Sequence, residues 1–328
     1  MNHLGRLLRR ISLGHLALAL AAAACMQSAF AQEKITRIVV AFPPGGPVDF
    51  VARALSEQLG KALGQQVIVE NKAGANGAIA AEYVSRAAPD AETLWLTSVG
   101  AVAINPSLYD KLAYDPAKDL TPVSLVVRNV EVLVVGADAP YATGAEFVAA
   151  AKRSKQPLTL ASSGTGSVPH LAMELLSDAT GTPLLHVPYK GAAPAIADVI
   201  AGHVDGFFGD IPGLIGLIRG GKLKPIGLAA GKRHPLLPDV KTFEEMGIHG
   251  VDSDNWYALF AAKGTPAAAI ARMNQALRRT LETPSVMKRL SESGAEPAPS
   301  SPAELAALLA KDSAKWSAVV RAKNIKAD

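Results

Sequence analysis

The 328-residue chain holds a single cysteine, Cys25, and only 5% of its residues are aromatic. One thiol excludes a disulfide framework and every metal or redox site that needs paired cysteines. Long apolar runs are missing as well: Leu16 to Met26 falls short of the roughly eighteen residues that mark a membrane-spanning helix, so the chain is not expected to span a membrane. Strong charge of one sign is also lacking. The formal charge is +4, from 33 basic and 29 acidic side chains, and Arg6, Arg9 and Arg10 fall in the first 31 residues, which hold no acid. Without those three the balance is 30 to 29, and the basic field a nucleic-acid partner requires is gone.

The first 31 residues read as a secretory signal peptide. A charged start, the apolar run to Met26 and Ala29-Phe30-Ala31 as a small-x-small site predict cleavage after Ala31. Cys25 leaves with it, so the exported chain has no thiol and relies on its own core, which its length permits. Two alternatives are weaker. Arg9-Arg10 fits a twin-arginine signal only loosely, and Ala22 to Ala24 stand before Cys25 where a lipidation signal usually shows a larger aliphatic residue.

From Gln32 onward, short aliphatic stretches alternate with Gly/Pro/Ser turns and alanine-rich amphipathic segments. Ile35 to Phe42, Val67 to Val69, Thr93 to Leu96, Val130 to Val135, Leu158 to Ala161, Leu184 to Val187, Gly206 to Phe208, Pro225 to Ala229 and Trp256 to Ala261 read as strands. Phe50 to Leu63 places Val51, Ala54, Leu55, Gln58, Leu59 and Ala62 on one helical face, with Arg53, Glu57 and Lys61 elsewhere. Such alternation predicts α/β layers with mostly parallel sheets, whose ligands bind beyond the carboxyl ends of the strands. Val132 to Val135 and Trp256 to Ala261 suit two crossovers between two lobes, the second followed by a helix-rich tail from Pro266.

Two strand-to-helix loops carry most of the chemistry. In Pro43-Pro44-Gly45-Gly46-Pro47-Val48-Asp49 the prolines stiffen the turn, leaving the amides of Gly45, Gly46 and Val48 as donors beside a helix start. Asp49 there would repel an anion unless it capped the helix, held a water or met an amino group; a plain rigid turn is the alternative. The second loop, Ser162-Ser163-Gly164-Thr165-Gly166-Ser167, offers four hydroxyls and two glycines without formal charge, suited to a ligand that must be released, although a Ser/Gly helix cap would look the same. Ser98-Val99-Gly100, Tyr189-Lys190-Gly191 and Phe207-Phe208-Gly209-Asp210 could each line a cleft or serve as cap and core.

Enzyme and metal signatures fail. Gly216 to Lys222 has phosphate-loop spacing but Leu223 replaces the Ser or Thr that would hold magnesium. His170 follows Ser167 by three residues with no third partner, which leaves an exported hydrolase as a distant reading. His170, His186, His203, His234 and His249 show no paired ligand spacing. No catalytic residue, cofactor or metal is therefore expected.

The order of motifs resembles the extracytoplasmic solute-binding receptors of tripartite tricarboxylate transporters, the Bug family. The carrying stretches are VVAFPPGGPVD (Val39 to Asp49), VIVENKAGANG (Val67 to Gly77), INPSLY (Ile104 to Tyr109), YDPAKDLTPV (Tyr114 to Val123), ASSGTGSVPHL (Ala161 to Leu171) and HVPYKGAAP (His186 to Pro194), followed by Gly221 to Lys224, Leu237 to Val240 and Lys263 to Pro266. The resemblance covers essentially the whole exported chain. It implies a type II periplasmic-binding-protein fold, two α/β lobes with a ligand cleft between them, in the periplasm. The implied division is 1–31 leader, 32–130 and 256–328 first lobe, 131–255 second lobe.

It further implies that the first loop and the Ser/Gly loop grip one carboxylate end of a ligand, partly through water, with Asp49 holding that water. The candidate ligand residues are Phe42, Pro43, Gly45, Gly46, Val48, Asp49, Ser98, Ser162, Ser163, Gly164, Thr165, Gly166, Ser167, His170, Tyr189 and Asp210. Val48 stands where Thr or Ser is common, Gly209-Asp210-Ile211 replaces an Asp-Asn run, and Trp95 and Asp254-Asn255-Trp256 look individual. The implied function is capture of a small organic carboxylate, aliphatic or aromatic, by a monomer that delivers it to the permease subunits of a tripartite transporter. Aromatic ligands would be favoured if Phe207, Phe208 or Trp95 faced the cleft. The alternative is presentation of the carboxylate to a membrane sensor kinase.

Overall fold

Two sheets organise the chain. The structure, a computed structural model, describes residues 34–326; Cys25 and the expected cleavage after Ala31 lie outside them. One sheet has the order β11-β4-β10-β3-β1-β2, with β1 at Ile35–Val40, β2 at Gln66–Asn71, β3 at Thr93–Ser98, β4 at Leu120–Asn129, β10 at Asn255–Ala262 and β11 at Glu296–Pro297. The other has the order β7-β6-β8-β5-β9, with β5 at Glu131–Gly136, β6 at Leu158–Ser162, β7 at Leu184–Pro188, β8 at Gly206–Asp210 and β9 at Leu223–Leu228.

The sheets are mixed rather than mostly parallel. β1 runs parallel to β2 and β3, and β6 parallel to β7 and β8. β10 is antiparallel to both β3 and β4, and β5 to both β8 and β9. These reversed strands are the ones that carry the chain from the first sheet to the second and back. β4 was hidden in sequence by Pro122, which lacks an N–H for a ladder. The strand tolerates it because Pro122 pairs beside a register irregularity opposite Phe260, and β11 borders β4 only at Val127 and Arg128.

Each sheet is buried on both faces, so its inner strands are continuous apolar runs. Along β10, Tyr257, Leu259 and Ala261 enter one core while Trp256, Ala258 and Phe260 enter another. Along β5, Val132 and Val134 part from Leu133 and Val135 in the same way. Truncating such a side chain, Phe260→Ala for example, costs about 3 to 5 kcal/mol.

Helix α1 (Pro47–Leu63) shows how local chemistry places the first loop. Gly46 is its N-cap, Pro47 fills the first position where no N–H is needed, and Gly64 ends it at φ 70°. Val48, Val51, Leu55 and Leu59 are buried, with Arg53, Glu57 and Lys61 exposed. In the second sheet, β6 leads into α6 (Val168–Thr180), β7 into α7 (Ala192–Ala201) and β8 into α8 (Ile211–Arg219). All of these helices start at the carboxyl ends of strands. The remaining helices are α2 (Ala78–Ser85), α3 (Asn105–Leu108), α4 (Pro116–Asp119), α5 (Gly144–Arg153), α9 (Ala267–Leu281), α10 (Pro284–Ser293) and α11 (Pro302–Ala322).

Candidate functional site

A cleft opens where the carboxyl ends of β1 and β3 face those of β6, β7 and β8. It encloses about 540 Å³ counting its mouth. Phe42, Pro43, Gly46, Val48 and Ser98 line it from the first sheet's loops. Ser163, Ser167, Phe207 and Asp210 line it from the second. A side opening of about 780 Å³ shares Phe42, Pro43 and Ser163 and adds Gly164, Thr165 and Tyr189.

Five of the expected ligand residues turn away from both spaces. Asp49 is buried, and its carboxylate accepts from Gly45 N–H at 3.0 Å, Arg53 Nε at 2.9 Å and Asn71 Nδ2 at 2.9 Å. Burial pushes its pKa up, but the bonds from Arg53, Gly45 and Asn71 more than offset this and hold it below the usual value. Asp49 therefore braces the loop from behind, its carboxylate held by these three donors. Gly45 N–H is consumed by that brace and is not a free donor. Gly45 is required for its backbone instead, at φ 84°.

In the second loop, Ser162 is fully buried, with Oγ 2.6 Å from His186 Nε2 and 3.1 Å from Gly164 N. His170 accepts from Gly166 N–H through Nδ1 at 3.1 Å and stacks on His186 with ring centroids 3.7 Å apart. Ser162, Gly166 and His170 thus stabilise the loop and do not border the cleft. Ser167 Oγ meets the backbone N–H of His170 at 3.5 Å as the N-cap of α6, while the His170 ring is held by Gly166, so the Ser167–His170 hydrolase pair is not assembled. Tyr189 donates to Asp198 at 2.5 Å, and that bond with partial burial pushes its pKa up to about 12.

Four helix starts meet at the cleft. The N-terminal residues of α1, α6, α7 and α8, namely Gly46, Ser167, Ala192 and Asp210, all line it. Each N-terminus brings unpaired N–H groups and a partial positive charge. Among the described residues no lysine, arginine or histidine lines the same space. Helix starts of this kind suit an anion through neutral donors.

The walls approach closely through glycines. A Cβ on Gly191 would lie 2.9 Å from Pro43 Cδ, one on Gly166 2.2 Å from Leu108 Cδ2, and one on Gly213 3.3 Å from Pro47 Cδ. On the cleft wall, Gly209 makes room for the Phe207 ring, whose Cε1 would meet such a Cβ at 2.2 Å. Phe207, Phe208 and Trp95 are all fully buried in core clusters, and of the three Phe207 also borders the cleft.

A family model described as the tripartite tricarboxylate transporter family receptor matches residues 51–325. The chain belongs to this family. Solved structures agree with its two-lobe fold. The periplasmic binding protein BugD is 32% identical, with a TM-score of 0.85 over 90% of this chain and 99% of its own. MatC (Rpa3494) from Rhodopseudomonas palustris, solved with bound malate, is 35% identical with a TM-score of 0.82 over 87% and 99%. R. palustris Rpa4515, solved with adipate, is 30% identical with a TM-score of 0.87 over 91% and 100%. The receptors of this family are periplasmic solute-binding proteins, and among the described residues no helix is long and apolar enough to cross a membrane.

The floor of the receptor's cleft holds residues that the sequence did not assemble. Asn255 and Tyr257 line it beside Asp210. Asn255 Nδ2 lies 3.0 Å from Asp210 Oδ1 and 3.3 Å from Glu131 Oε1, and Tyr257 O–H donates to Asp210 Oδ2. Burial pushes Asp210 up to about 6, against the bonds from Tyr257 and Asn255 that pull it down. Burial, then the neighbouring Asp210 charge, push Glu131 much further. Both carboxyls are held above their ordinary values by burial, and the two titrate together as a pair. Gly209-Asp210-Ile211 and Asp254-Asn255-Trp256 were the sequence signals here; Glu131 and Tyr257 sit in apolar strands that read as core.

Proposed function

We propose that this receptor captures a small organic carboxylate in the cleft and delivers it to the membrane permease subunits of a tripartite tricarboxylate-type transporter. The observation that carries the reading is the convergence of four helix N-termini on a cleft without a cationic side chain. One carboxylate end rests against the amides of Gly46 and Val48 and the hydroxyls of Ser163 and Ser167; Gly164, Thr165 and Tyr189 border its entrance, and the Phe207 ring supplies apolar contact for the ligand's body. Malate in MatC and adipate in Rpa4515 support a carboxylate as cargo.

The two sheets support lobes of 32–130 with 256–328, and of 131–255, hinged where β4 passes into β5 and where β10 begins. The space inside the cleft is small enough that a ligand enters by opening of the lobes and is enclosed by their closure. The receptor acts as a monomer, exported with its leader cut after Ala31, and it binds and releases without turnover.

Thermal unfolding of the exported chain against a carboxylate panel tests the binding step. A ligand at a hundred times its dissociation constant adds about 2.7 kcal/mol, a shift of roughly 5 to 10 °C for a chain of this size. No shift with any carboxylate, after removal of co-purified ligand, overturns the reading. Uptake of the hit by cells with and without the receptor tests delivery; unchanged uptake with an altered transcriptional response would point to a sensor partner instead.

A further inference from the structure

Helix N-termini account for one end of the ligand, and the lining beyond them sets the chemistry of the rest. Pro43, Pro47, Val48, Val168, Ala192 and Phe207 form an apolar wall. Pockets of this kind fix a ligand by a few polar groups and take up the remainder by apolar contact. Ser163 and Ser167 serve the end already assigned, which leaves Ser98, Asp210, Asn255 and Tyr257 for the other. These four have little left to donate. Asn255 Nδ2 is 3.0 Å and 3.1 Å from the two Asp210 oxygens and 3.3 Å from Glu131 Oε1, so both of its hydrogens are taken. Its Oδ1 accepts from Trp256 N–H at 2.9 Å, and Tyr257 O–H is spent on Asp210 Oδ2. At the start of α8, Ile211 N–H donates to Val130 O at 3.2 Å and Pro212 has no N–H. Ser98, opposite Tyr257 across the β3–β10 ladder, adds one hydroxyl.

A second carboxylate on this floor would bring two oxygens that each call for donors. It would find the Ser98 hydroxyl and lie against Asp210 oxygens that are themselves acceptors from Asn255 and Tyr257. A charge enclosed with so few partners is strongly disfavoured. The side opening gives no relief. Its lining cation, Lys190, is exposed, and the opening shares Phe42, Pro43 and Ser163 with the cleft but none of Phe207, Asp210, Asn255 and Tyr257. It therefore adjoins the end where the first carboxylate rests.

Resting on the carboxylate reading above, we propose that the ligand is a monocarboxylate with an uncharged, largely apolar body, and that the donor-poor floor at Asp210, Asn255 and Tyr257 rejects a second carboxylate. Asp210 is the specificity residue in this assignment, because its oxygens face the cleft as acceptors, and Asn255 and Tyr257 hold it in that state. The apolar wall from Val48 to Phe207 takes the ligand's body, and Ser98 can meet one neutral polar group on it.

Isothermal titration of the exported receptor, stripped of co-purified ligand, with matched pairs that differ by one carboxylate tests the proposal: butyrate against succinate, hexanoate against adipate, and benzoate against terephthalate. In the pair that binds best, the monocarboxylate is expected to bind roughly tenfold or more tightly than its partner, a difference of about 1.4 kcal/mol. A dicarboxylate that comes within that factor, or binds more tightly, overturns the proposal while the carboxylate reading stands. Binding of neither class overturns both. Asp210→Asn puts an amide donor on the floor and is expected to narrow the gap by strengthening the dicarboxylate; a folded variant with an unchanged ratio overturns the role given to the floor. Should that variant not fold, the matched pairs on the unsubstituted receptor decide.

Discussion

Gly213→Ala separates the stability of the receptor from closure of its cleft. Gly213 is the third residue of α8, with ordinary helical backbone, and a Cβ there would lie 3.3, 3.4 and 3.5 Å from Cδ, Cγ and Cβ of Pro47. Pro47 is the first residue of α1, and its ring is locked to the backbone and cannot swing aside. Contact must relax by a few tenths of an ångström, which happens by parting the walls. Overpacking of one methyl costs about 1 kcal/mol at the low end of its range, and it falls on the closed form. That lowers the closed population, and hence ligand affinity, roughly fivefold.

The same methyl favours helix over the flexible glycine by up to about 1 kcal/mol, which acts on open and closed forms alike. The unliganded variant is therefore expected to melt at the same temperature as the parent or a few degrees higher, while titration with the receptor's ligand shows weaker binding. Opposite signs in the two assays are the signature. Unchanged affinity with raised melting temperature would refute the reasoning, because the Gly213–Pro47 contact would then not belong to the closed state.

Gly191→Ala should lose in both assays, since Gly191 has φ 114° and its Cβ would press on Pro43 at 2.9 Å; retained affinity in a titration would contradict the closure model. Asp49→Ala removes three hydrogen bonds from a buried carboxylate, with an expected loss of about 2 to 3 kcal/mol in denaturant unfolding. Because Asp49's folded pKa is lowered, its contribution is present above its unfolded value, near 3.8, and fades as pH falls through the lower folded value; a parent and variant whose stabilities differ equally at pH 2 and pH 7 would contradict it. Glu131 has the reverse sign. Its folded pKa is raised, so the folded form binds the extra proton and stability falls, by up to about 1.4 kcal/mol per pH unit, as pH rises above the unfolded glutamate value. Glu131→Gln is expected to flatten that decline and to melt higher than the parent at pH 8; an unchanged slope in scanning calorimetry would count against a raised Glu131.

Local chemistry made much of this legible in sequence. Gly46, Pro47 and the apolar spacing from Val51 to Leu59 specify α1 within one stretch of chain, and the loops at Pro43–Val48 and Ser163–Ser167 were placed at the cleft because turn and cap residues act on their immediate neighbours. What each side chain does in those loops was not legible. Asp49 was expected to face the ligand but is claimed by Asn71, and His170 by Gly166 and the His186 ring; which partner wins depends on packing.

Strand direction was not legible either. β5 and β10 read as ordinary apolar runs, and only the path between the sheets makes each of them antiparallel to both neighbours. That same path brings Glu131, at the start of β5, and Asn255 and Tyr257, in β10, to Asp210 at the end of β8. The sequence by itself determined the amphipathic helix, the rigid loops and the small charge imbalance, because periodicity, turn geometry and composition act over a few residues. The tertiary structure alone decided the acid pair on the cleft floor: its members are 45 to 124 residues from Asn255 along the chain, and a buried charge takes its meaning from the groups that folding brings against it.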